Sequence, residues 1–280
     1  MSVSPVLQSR AAEMCRIAAE REYEFIKSHF LSPAEQIVFA KTALETDPFS
    51  AKRLFFYGGA LGADRRRAVF VPSYFDADPF VSQADVLKRS REEHLAELLS
   101  AMAPDEDLGI VPILVKGSSY ETLAHRHYMG SVLGLGLERD VVGDIAVLDE
   151  HSAVIFTDEK IAPFVMESLT SVGRDRVKCS PWRRSRDFEI PRKFETLHIA
   201  AGSDRADSVA ASLSGSSRAE AKALCTSGSV EVNYTSPVEP DERVSPGDIV
   251  SVRGYGKFII DSFDGSTRSG RLKLTVRRYL

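Results

Sequence analysis

The chain has 280 residues, with 36 Lys and Arg against 40 Asp and Glu, and 43% of its residues are hydrophobic. This length suits two or three modest domains, and the net charge of −4 excludes a protein that coats nucleic acid indiscriminately. The charge is uneven, because residues 1–180 hold 20 Lys and Arg against 27 Asp and Glu, whereas residues 181–280 hold 16 against 13. The asymmetry indicates that the C-terminal part meets a polyanion.

Cysteine usage and hydropathy indicate the compartment. Cys15, Cys179 and Cys225 are too few and too far apart for a disulfide framework or a zinc site, so we expect reduced thiols and no bound metal. The sequence shows no secretory signal and no run of about 20 apolar residues that could span a bilayer. We therefore expect a cytoplasmic protein without a membrane partner; the oligomeric state stays open.

The first part of the chain, residues 1–66, is predicted to be helical. Residues 11–30 are rich in Ala, Glu, Arg and Lys, which favour a helix. A second helix is predicted to begin at Ser32, because Ser32-Pro-Ala-Glu35 has the spacing of a capping box. The glycines at 58, 59 and 62 end the helical pattern. The run Arg65-Arg66-Arg67 then forms a basic spot, which is either a solvated turn or a secondary RNA contact.

Residues 67–181 alternate between short strands and helices. Strands are predicted at 68–71, 110–115, 144–148, 153–157 and 176–179, and helices at 90–102, 122–135 and 158–173. This order suits an α+β domain of the ferredoxin or RRM-like kind.

Residues 182–280 are predicted to form a short polar linker, up to Pro191, and a small compact domain. Helices are predicted at 205–213 and 217–228, the second with a capping box at Ser217, and strands at 230–233, 249–253, 258–263 and 272–277. Trp182 and Tyr255 are aromatic residues that either stack on bases or pack against neighbours. The predicted fold class of the chain is therefore α+β throughout.

Basic residues of this C-terminal domain recur at spacings that predict one surface. Arg218 and Lys222 share a helix face, and Lys273 alternates with apolar residues in the last strand. A phosphate-binding surface for RNA is predicted from the following set: Arg205, Ser217, Arg218, Lys222, Asn233, Arg253, Lys257 and Lys273.

The same segment is similar to the S4 RNA-binding domain, of the αL type. The resemblance is carried by Ser203-Asp-Arg205-Ala-Asp207, Ser216-Ser-Arg218-Ala-Glu-Ala-Lys222, Gly228-Ser-Val230-Glu-Val-Asn233, Gly247-Asp248 and Arg253-Gly-Tyr-Gly-Lys-Phe258. It implies that Arg205, Ser217, Arg218 and Lys222 lie on the RNA-contacting helices. It also implies that Asn233 and Gly247-Asp248 shape the strands and the turn that follow.

A second candidate contact lies in the segment Gly117–Gly136, which contains His125, Arg126 and His127. On a helix His125 and His127 point to different sides, so a metal site is not expected. Two interpretations stay open. Either the glycines let this helix pack closely against its sheet, or His125 and Arg126 in the first turn meet a phosphate, together with Arg65 and Arg66.

This segment, continuing through Gly143-Asp-Ile145 and Val172-Gly-Arg174-Asp-Arg-Val177, resembles the bacterial S4-domain proteins of the YlmH type, which are encoded near cell-division genes. The resemblance covers nearly the whole chain and is weakest over the first ~60 residues. It implies that the partners are rRNA and tRNA on the large ribosomal subunit. It also implies a role in ribosome-associated quality control, the rescue of stalled translation.

The sequence alone favours a protein without catalysis and without a cofactor, because no complete nucleophile–base pair, metal cluster or nucleotide loop is present. One rival is an RNA-modifying enzyme of the pseudouridine-synthase kind that docks through its S4 domain. The string Arg205-Ala-Asp207 superficially resembles the catalytic string of those enzymes. The other rival is an adaptor protein for cell division.

Overall fold

The computed structural model describes residues 5–75, 89–103, 106–183 and 188–280. The chain divides into two compact units, one running up to Pro191 and the other comprising Arg192–Leu280. Both units combine helices with antiparallel sheets, so the predicted α+β class is confirmed. Within the described ranges, no helix combines the length and the apolar character needed to traverse a bilayer.

The helices of the first unit are α1 Pro5–Glu20, α2 Pro33–Thr46, α3 Pro48–Ala51, α4 Arg89–Met102, α5 His125–Leu133 and α6 Ala162–Ser168. Its strands are β1 Ile26–Leu31, β2 Leu54–Tyr57, β3 Arg66–Phe70, β4 Ile110–Gly117, β5 Val142–Val147, β6 Ser152–Asp158, β7 Ser171–Val172 and β8 Asp175–Pro181. The second unit contains β9 Phe194–Ala201, α7 Ala206–Ser214, α8 Arg218–Thr226, β10 Val230–Val232, β11 Ile249–Val252, β12 Gly256–Ser266 and β13 Leu272–Tyr279.

The N-terminal segment is not wholly helical as predicted, because three strands form an antiparallel sheet in the order β1-β3-β2. Helix α1 ends at Glu20, and β1 pairs with β3 through Ile26 opposite Phe70. The residues of β1 and β2 are wrongly predicted to be helical, because pairing with β3 stabilises them as strands. For β1 this partner is distant in the sequence. The predicted boundary after residue 66 falls inside β3. The capping box of Ser32 and Glu35 that begins α2 is confirmed.

The middle of the chain forms a five-stranded sheet in the order β5-β6-β4-β8-β7, in which neighbouring strands are antiparallel. Helix α5 follows β4 and helix α6 follows β6, which gives the order β-α-β-β-α-β. Both helices pack on one face of the sheet, where Tyr128 and Val165 are fully buried. Helix α5 begins at His125 rather than at the predicted Thr122.

The other face of this sheet is partly covered by the N-terminal sheet. Phe30 and Tyr57 share one core with Val154 and Phe156 of β6. Arg67 links the two layers, since its guanidinium lies 5.0 Å from the Phe30 ring centre and pairs with the carboxylate of Asp158. The two sheets are therefore parts of one packed structure within the first unit.

The predicted linker is packed against this unit at both of its described ends. The backbone N–H of Trp182 donates to Pro112, and the Trp182 ring contacts Phe188 edge to face at 4.7 Å. Ile190 is buried in the core that contains Phe30. Trp182 is half-buried, so of the two interpretations for this residue the structure favours packing.

The second unit is a five-stranded antiparallel sheet in the order β10-β11-β12-β13-β9, with α7 and α8 on one face. Leu274 and Val276 of β13 are fully buried in the core beneath these helices. The sequence predicts every element of this unit except β9, which pairs with β13 along its full length. The buried residues of this core lie within residues 201–276.

Candidate nucleic-acid interface

Two arginines of the second unit are held by one buried carboxylate, and we call Arg205, Asp207 and Arg218 the arginine clamp. Arg205 precedes α7 with extended backbone, Asp207 lies in its first turn, and Arg218 is the first residue of α8. The Asp207 carboxylate accepts from Arg205 Nε and Nη2, both at 3.1 Å, and from Arg218 Nε at 3.3 Å. The clamp therefore fixes two cations from neighbouring helices side by side.

The pKa shifts of Asp207 and Arg205 both favour the charged form, since the pKa of Asp207 is lowered and the hydrogen bond to Asp207 raises the pKa of Arg205. Burial raises the pKa of Asp207, but hydrogen bonds from Arg205 and Arg218 outweigh it, and the net shift is downward. The Asp207 side chain is only 3% exposed, whereas those of Arg205 and Arg218 are 36% and 62% exposed. Within the described part of the chain, Arg205 Nη1 and both terminal nitrogens of Arg218 have no hydrogen-bond partner. They remain available to a phosphate.

Helix α8 places a third cation beside the clamp. Lys222 is exposed one turn after Arg218, so the two side chains share a helix face. Ser217 caps this helix, because its hydroxyl accepts from the Glu220 N–H at 3.2 Å and its own N–H donates to Glu220 at 2.8 Å. The Ser217 hydroxyl therefore caps the helix that presents Arg218 and Lys222.

Asn233, predicted to contact RNA, has both ends of its side-chain amide engaged inside the unit. Its amide nitrogen donates to Asp248 at 2.8 Å, and its amide oxygen accepts from the Ile249 N–H at 3.0 Å. Its φ of 48° places it in the left-handed region, which asparagine tolerates. These bonds connect Asn233 to the turn that contains Asp248 and to the start of β11, and a contact of Asn233 with RNA stays a prediction.

Lys257 is also engaged within the fold. Its ammonium donates to the Tyr234 hydroxyl at 2.8 Å and lies 4.6 Å and 4.7 Å from the ring centres of Tyr234 and Tyr279. These contacts hold the charge over two aromatic faces. The ammonium of Lys257 is thus already engaged within the fold, and its contact with RNA stays a prediction. Arg253 and Tyr255, in the turn between β11 and β12, are exposed.

Lys273 is exposed, but it does not lie on the surface of the clamp. Side chains alternate along a strand, and Leu274 and Val276 point toward α7 and α8. Lys273 therefore points to the opposite face of the sheet. The predicted single basic surface is wrong in this respect: Arg205, Arg218 and Lys222 lie on the helical side, and Lys273 lies behind the sheet.

In the first unit, His125 and Arg126 are exposed in the first turn of α5, as the phosphate interpretation requires. His127 contributes to the helix end, because its Nδ1 accepts from the Ala124 N–H at 3.1 Å. A side chain added at Gly130 would meet nothing within 4 Å, so this glycine does not pack against the sheet. Among the residues described, no group of three or more potential ligands could hold a metal ion.

Arg65 and Arg66 do not form the exposed basic spot that the sequence suggests. Arg65 donates to the carbonyl oxygens of Phe30, Arg139 and Val142 at 2.9 to 3.1 Å, and burial lowers its pKa. Arg66 is 8% exposed and donates to the carbonyl of Ala63 at 2.6 Å. Both arginines are engaged in hydrogen bonds within the first unit, and their contact with RNA stays a prediction.

Asp207 is the residue that the sequence analysis missed as part of the site. A signal was present, because Asp207 is followed by the apolar stretch Val209-Ala-Ala211 in a short helix. A carboxylate on the buried side of such a helix needs a cationic partner, and two arginines stand close by in sequence.

Known proteins are similar to this chain. Residues 105–185 match the family model described as the putative RNA-binding domain in YlmH, which spans β4 to β8. The ribosome-associated protein quality control protein P2 of Bacillus subtilis (strain 168) is 28% identical over 270 residues, covering 96% of this chain and 93% of that protein. The cell division protein ylmH from Streptococcus pneumoniae superposes with a TM-score of 0.44 at 16% identity, over 68% of this chain and 98% of that chain.

The matched domain and the arginine clamp lie in different units of the chain, since the clamp begins at Arg205 and the matched residues end at 185. The relative from B. subtilis extends the similarity across both units. The resemblance to YlmH-type proteins that the sequence indicates is thereby confirmed as a similarity, carried by the matched RNA-binding domain and by the relative from B. subtilis.

Proposed function

We propose that this protein binds structured RNA without catalysing a reaction, and that its second unit is an S4 domain that docks on RNA through the arginine clamp. The observation that carries the proposal is the clamp itself. A buried carboxylate fixes two exposed guanidiniums at the start of two neighbouring helices, with Lys222 one turn further along. Guanidiniums arranged in this way bind phosphate oxygens through paired donors.

The partner we propose is the large ribosomal subunit, where the protein contacts rRNA and tRNA during rescue of stalled translation in the cytoplasm. Support comes from the YlmH RNA-binding domain match and from the relative named for ribosome-associated quality control. His125 and Arg126 of the first unit offer a second contact. Two tethered weak contacts can raise affinity by ~10²–10⁴ when both engage the same target.

The position of Asp207 speaks against the rival function of RNA modification. In the string Arg205-Ala-Asp207, the aspartate that resembles a catalytic residue is 2% exposed and holds two arginines. A carboxylate enclosed in this way is not accessible to a base drawn out of an RNA strand. The proposed RNA-binding function requires no cofactor.

The proposal is tested by asking which particles a tagged full-length protein retains in cell lysate after separation on a sucrose gradient. We expect large subunits carrying peptidyl-tRNA, and we expect their loss in the variant Arg205→Ala/Arg218→Ala. The matched control is Arg16→Ala/Arg21→Ala, which removes the same charge from two exposed arginines in and just beyond α1. Equal recovery of both subunits and unrelated RNA would contradict the proposal.

A further inference from the structure

A row of exposed cations crosses the middle sheet of the first unit, and we call Lys116, Arg176 and Lys178 the basic strip. Lys116 lies near the end of β4, and Arg176 and Lys178 lie on the neighbouring strand β8. All three residues are exposed. Within the described ranges, none of their side chains forms an ion pair or a hydrogen bond.

The strip lies on the sheet face opposite α5 and α6. Val115 and Val177 are buried in the core beneath these helices, so Lys116, Arg176 and Lys178, which alternate with them, point the other way. Leu114, two residues before Lys116, points the same way and packs on the core shared with the N-terminal sheet. The strip is therefore the uncovered margin of a face whose remainder is buried.

The register brings two like charges directly opposite each other. Lys116 and Lys178 are Cα partners in the antiparallel pair, and such partners have Cβ atoms roughly 4.5–5.5 Å apart. The other cross-strand partners on this face are serines: Ser152 faces Lys116 and Ser171 faces Arg176. No carboxylate occupies these positions, so the strip keeps its charge and pays a local repulsion.

Protection of a sheet edge does not account for this pattern. Lysines are common on edge strands, where they discourage pairing with another chain. Lys116, however, lies on β4, which is paired on both sides, with β6 and with β8. A phosphate bound between the two ammonium groups would relieve their repulsion, and the hydroxyl of the exposed Ser171 is a further donor for phosphate oxygens, whereas the hydroxyl of Ser152 already donates to Asp149.

We propose that the basic strip is a binding site for the phosphodiester backbone of RNA, separate from the arginine clamp. The proposal rests on the proposed RNA-binding function and adds a contact surface within it. The strip lies inside the residues that match the YlmH RNA-binding domain. It presents three cations and the hydroxyl of Ser171 without an exposed aromatic ring between them, so we expect it to bind the backbone and not the bases.

The test compares RNA binding of full-length variants over a range of salt concentrations, with a fluorescein-labelled RNA hairpin as the probe. In Lys116→Glu/Lys178→Glu we expect affinity to fall by at least about tenfold at low salt. We also expect the slope of log affinity against log salt to become shallower by about two, as when two phosphate contacts are lost. The matched control is Lys41→Glu/Lys52→Glu, which makes the same charge change at exposed positions of α2 and beyond α3.

Folding is monitored with the single variant Lys178→Glu, which places a carboxylate opposite Lys116. We expect its melting temperature to be at least that of the wild type, because an attractive pair replaces a repulsive one, while its RNA affinity falls. An unchanged affinity and slope in the double variant, with binding still lost in Arg218→Glu/Lys222→Glu, would overturn the strip and leave the proposed function intact. If the wild-type protein does not bind the hairpin with a steep salt dependence, both proposals fail.

Discussion

Asp207 illustrates how one buried charge organises a surface that it does not itself reach. Its carboxylate is enclosed, yet it determines where the guanidiniums of Arg205 and Arg218 stand. Without the Asp207 carboxylate, each clamp arginine would sample more rotamers. Its guanidinium would then no longer be held in an orientation suited to binding phosphate. The sequence shows which basic residues are present, whereas the Asp207 carboxylate determines which of them lie side by side.

We predict that Asp207→Asn lowers the stability of the second unit by about 1–3 kcal/mol at neutral pH, because charged hydrogen bonds to two arginines are lost. The pKa of Asp207 is lowered in the folded protein, so its stabilisation is present above the pKa of the unfolded chain and is lost as pH falls through the folded value. The difference in free energy of unfolding between the two proteins should therefore shrink in acid, below about pH 4. Urea titrations at several pH values measure it, and a difference that is constant with pH would contradict the role of the charge.

At the scale of elements, local signals predicted the helices better than the N-terminal strands. The capping boxes at Ser32 and Ser217 each predict the start of a helix, because the serine and glutamate of each box lie within four residues of each other. The strands β1 and β2 are absent from the prediction because their partner strand β3 lies some distance along the chain. The same reason applies to Arg65, whose acceptors include Val142, 77 residues away.

The candidate site was predictable to a similar extent. Arg205, Arg218 and Lys222 were found because helical spacing and a motif place them together. The engagement of Lys257 within the fold could not be predicted, because its aromatic partners Tyr234 and Tyr279 come from separate parts of the sequence. Short-range periodicity thus identifies exposed helical cations, and only tertiary structure shows which cations are already engaged.

We predict that Ser217→Ala and Ser32→Ala each lower the free energy of unfolding by about 1 kcal/mol, since each removes a helix N-cap. Only Ser217→Ala should also weaken RNA binding, by a few-fold, because α8 carries Arg218 and Lys222. Thermal unfolding and fluorescence anisotropy with an RNA hairpin measure the two effects. Equal losses of RNA affinity in both variants would show that the cap of α8 has no special part in binding.

At the scale of the whole molecule, the two units differ in how they are built. The second unit closes its core with its own residues, from Leu197 of β9 to Val276 of β13. The first unit closes one of its cores with side chains from Phe30 to Ile190. The second unit therefore meets the requirement for independent folding, and the first unit meets it only as a whole.

We predict that the isolated segment 192–280 unfolds in a single cooperative transition and binds an RNA hairpin with a marked salt dependence. The isolated segment 105–185, the residues of the family match, should lack a cooperative transition, because Val154 and Phe156 lose the partners that cover them. Circular dichroism during heating distinguishes the two segments. A sharp transition in segment 105–185 would show that the covering sheet is dispensable.

The shared core also has a consequence for synthesis of the chain. The N-terminal sheet is complete once Phe70 has emerged, but its apolar face, with Phe30, Phe55 and Tyr57, is covered in part by Phe156. At ~5–20 residues per second, the intervening segment takes roughly 4–17 s to be made. During that interval an aromatic surface is exposed on the nascent chain. We expect chaperones that attend nascent chains to engage it until the sixth strand arrives.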